Sequence, residues 1–147
     1  AVLVRMFMQE NKLFIDYEAY GVGVEINELE QFYDSVPGSR QWEIIADSER
    51  PDTISHIRQK GFNIRGAKKG PGSVDDGIMF LRGFEEIVIH PRCRGAVDNF
   101  NNYKWKKDPI TRLPLPIPAA GSDHVPDAAR YALERYIKSK NPNIRFL

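Results

Sequence analysis

Ala46-Asp47-Ser48-Glu49-Arg50-Pro51 sets a carboxylate directly after the apolar run Trp42-Glu43-Ile44-Ile45 and just ahead of a proline suited to open a helix. An acid at the end of a buried strand is costly to desolvate unless a cation meets it. Strand ends are also where open α/β sheets place their ligands. Far along the chain, Asp123-His124-Val125-Pro126-Asp127 opens a second helix, with Asp127 one turn from Asp123 and His124 and on the same face. Carboxylate oxygens in this pattern suit Mg²⁺ or Mn²⁺, which hold phosphates and lower the pKa of a bound water. Two such ions about 4 Å apart stabilise the attacking and leaving oxygens of in-line phosphodiester cleavage. A structural reading competes: Asp47 caps the helix at Pro51, and Asp123 or Asp127 complements the positive end of a helix.

The elements that must carry these acids follow from the apolar patterning. Val2 to Met8 and Lys12 to Tyr20 are apolar runs with β-branched and aromatic residues, parted by Gln9-Glu10-Asn11, and read as an antiparallel hairpin. Ile26, Leu29, Phe32, Tyr33 and Val36 follow helical spacing up to Pro37-Gly38. Strands are expected at Glu43 to Ala46, Phe62 to Ala67 and Glu86 to Ile89. Helices are expected from Pro51 to Gly61, from a Ser73/Asp76 capping box to Leu81, and from Pro91 to Asn101. Lys104 to Pro118 is too rich in proline for a central strand and reads as an edge hairpin or extended arm. A last helix runs from Val125 to Ser139. This order predicts an α/β fold: a mixed central sheet with an antiparallel edge hairpin, a parallel remainder and flanking helices.

Length and composition set the outer limits. The chain of 147 residues is one domain's worth, and its 21 basic and 20 acidic side chains nearly cancel, so any nucleic-acid partner needs a local basic face. Cys93 stands alone, which excludes an internal disulfide and a cysteine-based zinc cluster. No apolar run approaches the roughly 20 residues of a membrane helix. Ala1 enters Val2-Leu3-Val4 with no initiator methionine, so the chain is expected to begin within a strand, as part of a longer polypeptide. No Gly-x-x-x-x-Gly-Lys-Ser/Thr loop is present, so ATP hydrolysis is not expected of it.

Several segments, in order and over nearly the whole chain, resemble phage terminase large subunits. They are Trp42 to Pro51, Ala67-Lys68-Lys69 with Gly72-Ser73-Val74, Ile87-Val88-Ile89-His90-Pro91, and Asp123-His124 through Asp127-Ala128-Ala129-Arg130-Tyr131-Ala132-Leu133. The resemblance is to the C-terminal nuclease domain of headful-packaging terminases. It implies a ribonuclease H-like fold, Asp47 and Asp127 as catalytic, metal-binding acids, His124 as an auxiliary histidine, and Asp123 as a further ligand. It also implies Mg²⁺ or Mn²⁺, two ions in the complete domain, and a double-stranded DNA substrate cut during genome packaging in the host cytoplasm. The implied partners are a packaging ATPase domain in the same polypeptide, a portal protein and a small terminase subunit. One departure stands out. The family's first catalytic aspartate lies in a Gly-x-Asp-Trp-Gly-like segment of the first strand, and nothing acidic occurs in Val2 to Met8. Asp16 and Glu18 read as rim acids rather than replacements.

Arg65, Lys68 and Lys69 form the best basic patch, followed at once by a glycine-rich turn and a helix start that can hold a DNA phosphate. Lys104, Lys106 and Lys107 flank Trp105, which either stacks on a base or packs on a sheet edge. His56 reads as a solvated helix residue, His90 as a structural hydrogen-bonding group and Cys93 as core filler. Two other functions compete with the terminase reading. One is a different ribonuclease H-like enzyme, such as a resolvase or transposase. The other is a non-catalytic module that docks DNA or the portal.

Overall fold

In the computed structural model, which describes residues 1–103, 105–118 and 121–139, the first two apolar runs form β1 (Val2–Gln9) and β2 (Lys12–Tyr20). Glu10 and Asn11 between them both adopt positive φ, 51° and 61°. Two left-handed residues give a tight turn whose twist matches that of the strands it joins. The antiparallel register slips between Arg5 and Met6, leaving Asp16 as an extra residue on β2. Arg5 consequently meets two consecutive β2 side chains. Its guanidinium is bidentate to Asp16 at 3.0 and 2.5 Å and lies over the Tyr17 ring at 4.4 Å.

A 3₁₀ turn (Ile26–Glu28) leads into α1 (Leu29–Asp34). Then β3 (Ile44–Ala46), α2 (Pro51–Gln59) and β4 (Ile64–Gly66) form a parallel strand-helix-strand unit, β3 pairing with β4. Pro51 takes the first helical position of α2, as its fixed φ and missing N–H favour. Next come α3 (Ser73–Arg82), β5 (Glu86–Ile89) and α4 (Arg94–Asn101), with β5 parallel to β2. The expected Ser73 cap is not made. Gly72, with φ of 76°, is the capping residue, and no side chain bonds the first turn of α3. The helix expected at Pro91 starts instead at Arg94, where Glu18 accepts the amides of Gly95 and Ala96 at 2.6 and 2.8 Å.

The proline-rich segment is a separate antiparallel hairpin, β6 (Trp105–Lys107) and β7 (Pro114–Pro118). The last helix is broken at Leu133 into α5 (His124–Ala132) and α6 (Glu134–Ser139). The sheet is also divided: β1-β2-β5 in one part and β3-β4 in another. α5 packs against both β1 and β3 and so spans the division.

Three apolar clusters fill the interior. Ile57, Ile44, Phe62 and Tyr33 join α1 and α2 to β3-β4. Leu13, Leu81 and Ala129 join β2, α3 and α5, while Ile15, Cys93, Ala96 and Val125 join β2, α4 and α5. Cys93 is fully buried, and that burial pushes its thiol up to about 11, as befits core filler. Gly77 of α3 is set against the stem of Arg130 on α5, and a Cβ there would lie 2.6 Å from Arg130 Cδ and 3.2 Å from its Cβ. Gly→Ala in an open helix position ordinarily stabilises by about 1 kcal/mol. Here overpacking reverses the sign: Gly77→Ala is expected to lower stability by about 1–3 kcal/mol in urea unfolding. A gain in stability would show that α3 does not seat on Arg130.

Candidate active site

Asp47 follows β3 directly, and Asp127 lies in the first turn of α5. Both line one groove, of about 1560 Å³, bounded by β1, β3, α1 and α5. The groove is apolar along Leu3, Leu29, Ile44 and Ile54, and also takes in Asp16 and His124. Among the described residues β1 pairs only with β2, and β3 only with β4, so both strands turn an open edge to this space.

Asp47 is not the buried strand-end acid expected from the sequence: its side chain is 46% exposed. It is held all the same. Lys69 Nζ lies 2.6 Å from Oδ1, and the Glu49 amide donates to the same oxygen at 3.1 Å. Partial burial opposes the charge on Asp47, but Lys69 and the Glu49 amide outweigh it, and the carboxyl titrates below its ordinary value. Burial likewise opposes the Lys69 ammonium, and the contact with Asp47 outweighs it in the other direction. The Glu49 bond is a local turn, not a cap on α2, whose capping residue is Arg50.

Asp127 is 30% exposed and accepts a hydrogen bond from Arg130 Nη2 at 2.6 Å. Between the two ion pairs stands Tyr131. Its ring centre is 5.4 Å from Lys69 Nζ and 5.5 Å from Arg130 Cζ. Burial first, then the charges of Asp47 and Asp127, keep its phenol from ionising. Neither Tyr131 nor Arg130 was singled out by residue chemistry, although the i, i+3 and i, i+4 offsets from Asp127 carry the signal.

The other expected site residues divide. His124 lines the groove, exposed, with its ring edge-on to Tyr20. Asp123 occupies the capping position of α5 without a side-chain cap, is not among the groove's lining residues, and acts electrostatically on the half-buried Tyr103. Among the described residues no three His, Cys, Asp or Glu side chains gather closely enough to hold a metal ion. The oxygen donors Asp47 and Asp127 have the chemistry for Mg²⁺ or Mn²⁺.

Arg65 is not an open cation. It bonds Glu134, and Glu43 at 3.3 Å, while the second Glu134 oxygen accepts the Lys68 amide at 2.8 Å. This network ties the 68–72 loop to α6 and so delivers Lys69 to Asp47. The Lys68 side chain is exposed. Lys107 is exposed on β6, whereas Lys104 and the side chain of Lys106 lie outside the described residues. Asp16 is committed to Arg5 and Glu18 to the start of α4. His90 accepts from the Arg92 amide at 3.1 Å, the structural role expected of it.

Because its native value is depressed, the Asp47 pair stabilises fully above the unfolded carboxylate's value, and that contribution is lost as pH falls through the native one. Lys69→Met removes the ammonium and leaves the burial. The Asp47 carboxyl titration, followed by side-chain NMR, is then expected to move upward toward or past the ordinary value of about 3.9. An unchanged midpoint would mean that the contact is not populated in solution.

Comparison with known proteins bears on the whole chain. The family described as "Terminase RNAseH like domain" matches residues 2–135. The large terminase subunit of Bacillus phage SPP1 is 40% identical over 102 residues, covering 65% of this chain and 23% of that protein. The PBSX phage terminase large subunit of Bacillus subtilis is 31% identical over 93 residues, covering 63% and 21%. The chain thus spans less than a quarter of the length of these relatives. The crystal structure of the SPP1 g2p large-terminase nuclease domain with bound Mn superposes with a TM-score of 0.83 at 30% identity, covering 92% of this chain and 78% of that one. The large terminase of a thermophilic bacteriophage shares the fold, with a TM-score of 0.64 at 17% identity over 91% and 36%. The fold is ribonuclease H-like, and the chain belongs to the terminase RNase H-like domain family.

Proposed function

We propose that this chain is the body of a divalent-metal-dependent endonuclease domain of a phage terminase large subunit, cutting concatemeric double-stranded DNA during genome packaging. The observation that carries the reading is the convergence of Asp47 and Asp127 on one groove from elements far apart in sequence. It is supported by the likeness to a nuclease domain that was crystallised with Mn.

In this reading Asp47 and Asp127 hold Mg²⁺ or Mn²⁺, with His124 at the rim and Asp123 behind it. A metal bound there supplies an activated water and takes up charge on the phosphate. The chain's own part is to present two carboxylates. Lys69 and Arg130 hold them in place at 2.6 Å until they are needed as ligands. Lys68 and Lys69 then offer their ammonium groups to the DNA backbone, an interaction blind to sequence. Arg65 serves this role only indirectly, through the loop it fixes. A packaging ATPase domain of the same polypeptide, a portal protein and a small terminase subunit are the partners this function requires, with the host cytoplasm as its setting.

The groove supports one further part of the proposal. Two open strand edges facing one apolar space of about 1560 Å³ suit an added strand, which would complete the sheet between β1 and β3. A carboxylate on that strand would complete the metal cage that the described residues only begin.

In a polypeptide extended N-terminally by such a strand, Asp47→Asn or Asp127→Asn is expected to abolish plasmid cleavage with Mn²⁺ while far-UV circular dichroism stays native. Undiminished nicking by either variant would remove that acid from the mechanism. The 147-residue chain by itself is expected to cut poorly, and the extension to restore activity. Robust cleavage without the extension would show that the cage is completed from within.

A further inference from the structure

The first turn of α5 presents His124 and Asp127, yet its own side chains do not cap it. Asp123 at the capping position bonds no amide, and Pro126 has no N–H to give. The Asp127 amide returns to the Asp123 carbonyl at 2.7 Å. Val125 is fully buried, so its amide needs an acceptor from elsewhere in the fold.

That acceptor is Asn99 of α4. Its Oδ1 takes the Val125 N–H at 2.9 Å, and the residue is 3% exposed. An N–H donor requires the oxygen, so the Asn99 amide group has one orientation, with Nδ2 turned to the Tyr20 hydroxyl at 3.5 Å. Tyr20 is itself set against Gly95, where a Cβ would come within 2.3 Å of the ring. It meets His124 edge-on, with ring centres 6.5 Å apart. Tyr20 faces this way because of the slip in the hairpin. The extra residue Asp16 reverses the alternation along β2 and brings Glu18 and Tyr20 to the side that Ile15 faces, where α4 packs. Glu18 then holds the amides that start α4, and Asn99, one turn on, holds the start of α5.

We propose that Asn99 is a positioning residue of the candidate active site, seating the first turn of α5 so that Asp127 and His124 face the groove. The inference rests on the endonuclease reading and deepens it by naming what aims one of the two acids. Asn99 does not line the groove and acts only through α5 and Tyr20.

Three variants test it. Asn99→Leu keeps the volume and removes the acceptor, Asn99→Asp keeps an oxygen toward Val125, and Cys93→Ala weakens the same apolar cluster while leaving both contacts in place. In the 147-residue chain, amide exchange at Val125 is expected to accelerate in Asn99→Leu about tenfold more than at Ile57, which lies in a separate cluster and reports global opening. The nuclear Overhauser contact between the Tyr20 and His124 rings should be lost with it. Asn99→Asp should retain both signatures, and Cys93→Ala should speed the two amides equally. Asn99→Ala removes the same acceptor and serves the comparison if leucine does not fit the site. In the N-terminally extended polypeptide, Asn99→Leu should lower kcat for plasmid cleavage with Mn²⁺ by about tenfold or more at unchanged KM, with Asn99→Asp restoring it. Val125 exchange that rises only in step with Ile57 would make Asn99 ordinary core and overturn the proposal. Selective opening at Val125 with unchanged kcat would overturn it as well. Failure of the nuclease reading shows separately, as undiminished cleavage by Asp47→Asn with Asn99 intact, and leaves the exchange and ring-contact results to judge the seating of α5.

Discussion

Carboxylates brought to one groove repel one another, and this chain meets several of them with cations. Asp47 has Lys69, Asp127 has Arg130, Asp16 has Arg5, and Glu134 behind the groove has Arg65. These pairs are partly solvated, so each is worth little to overall stability, on the order of 0–1 kcal/mol where exposed. Their value is positional. They hold the Asp47 and Asp16 carboxyls below their ordinary value, fix the 68–72 loop against α6, and flank Tyr131 between the two catalytic candidates. A divalent ion, with twice the charge of an ammonium, is the natural competitor for the same oxygens. A site arranged in this way is pre-formed yet weakly occupied by its own side chains.

The second constraint is the divided sheet. α5 is packed on both β1 and β3, and the apolar cluster of Leu29, Tyr33, Ile44 and Ile57 closes the floor from the other side. The groove between the open edges is therefore walled by β1, β3, α1 and α5, with the loop residues Gly21 to Val24 and Pro37 to Ser39 completing it. α5 keeps Asp47 and Asp127 on one space although, among the described residues, no hydrogen-bonded ladder joins β1-β2-β5 to β3-β4.

Much of this was legible from residue order. The hairpin, the β3-α2-β4 unit and the placement of Asp47 and Asp127 at a strand end and a helix start follow from apolar periodicity and from Pro51. What escaped depended on contacts distant in sequence. Arg65 reads as a DNA-binding cation until Glu134, 69 residues on, is seen to engage it. Glu18 reads as a rim acid because α4, which it caps, begins far downstream. The break at Leu133 hides inside a continuous helical pattern, since periodicity reports the buried face and not the tertiary pull on Glu134. Arg130 looks like any helix-surface arginine, and only the small residue opposite, Gly77, makes room for it in the interior.

The bridging position of α5 has a consequence for assembly. Its contacts with β1 join the two ends of the chain, and such closures carry the largest entropic cost and form late. The β1-β2 hairpin and the β3-α2-β4 unit are local and need no such closure. Asp127 therefore reaches the groove through a long-range contact, whereas Asp47 is set within a local strand-helix-strand unit. The pairing of the two acids is thus tied to completion of the α5 interface rather than to either local unit.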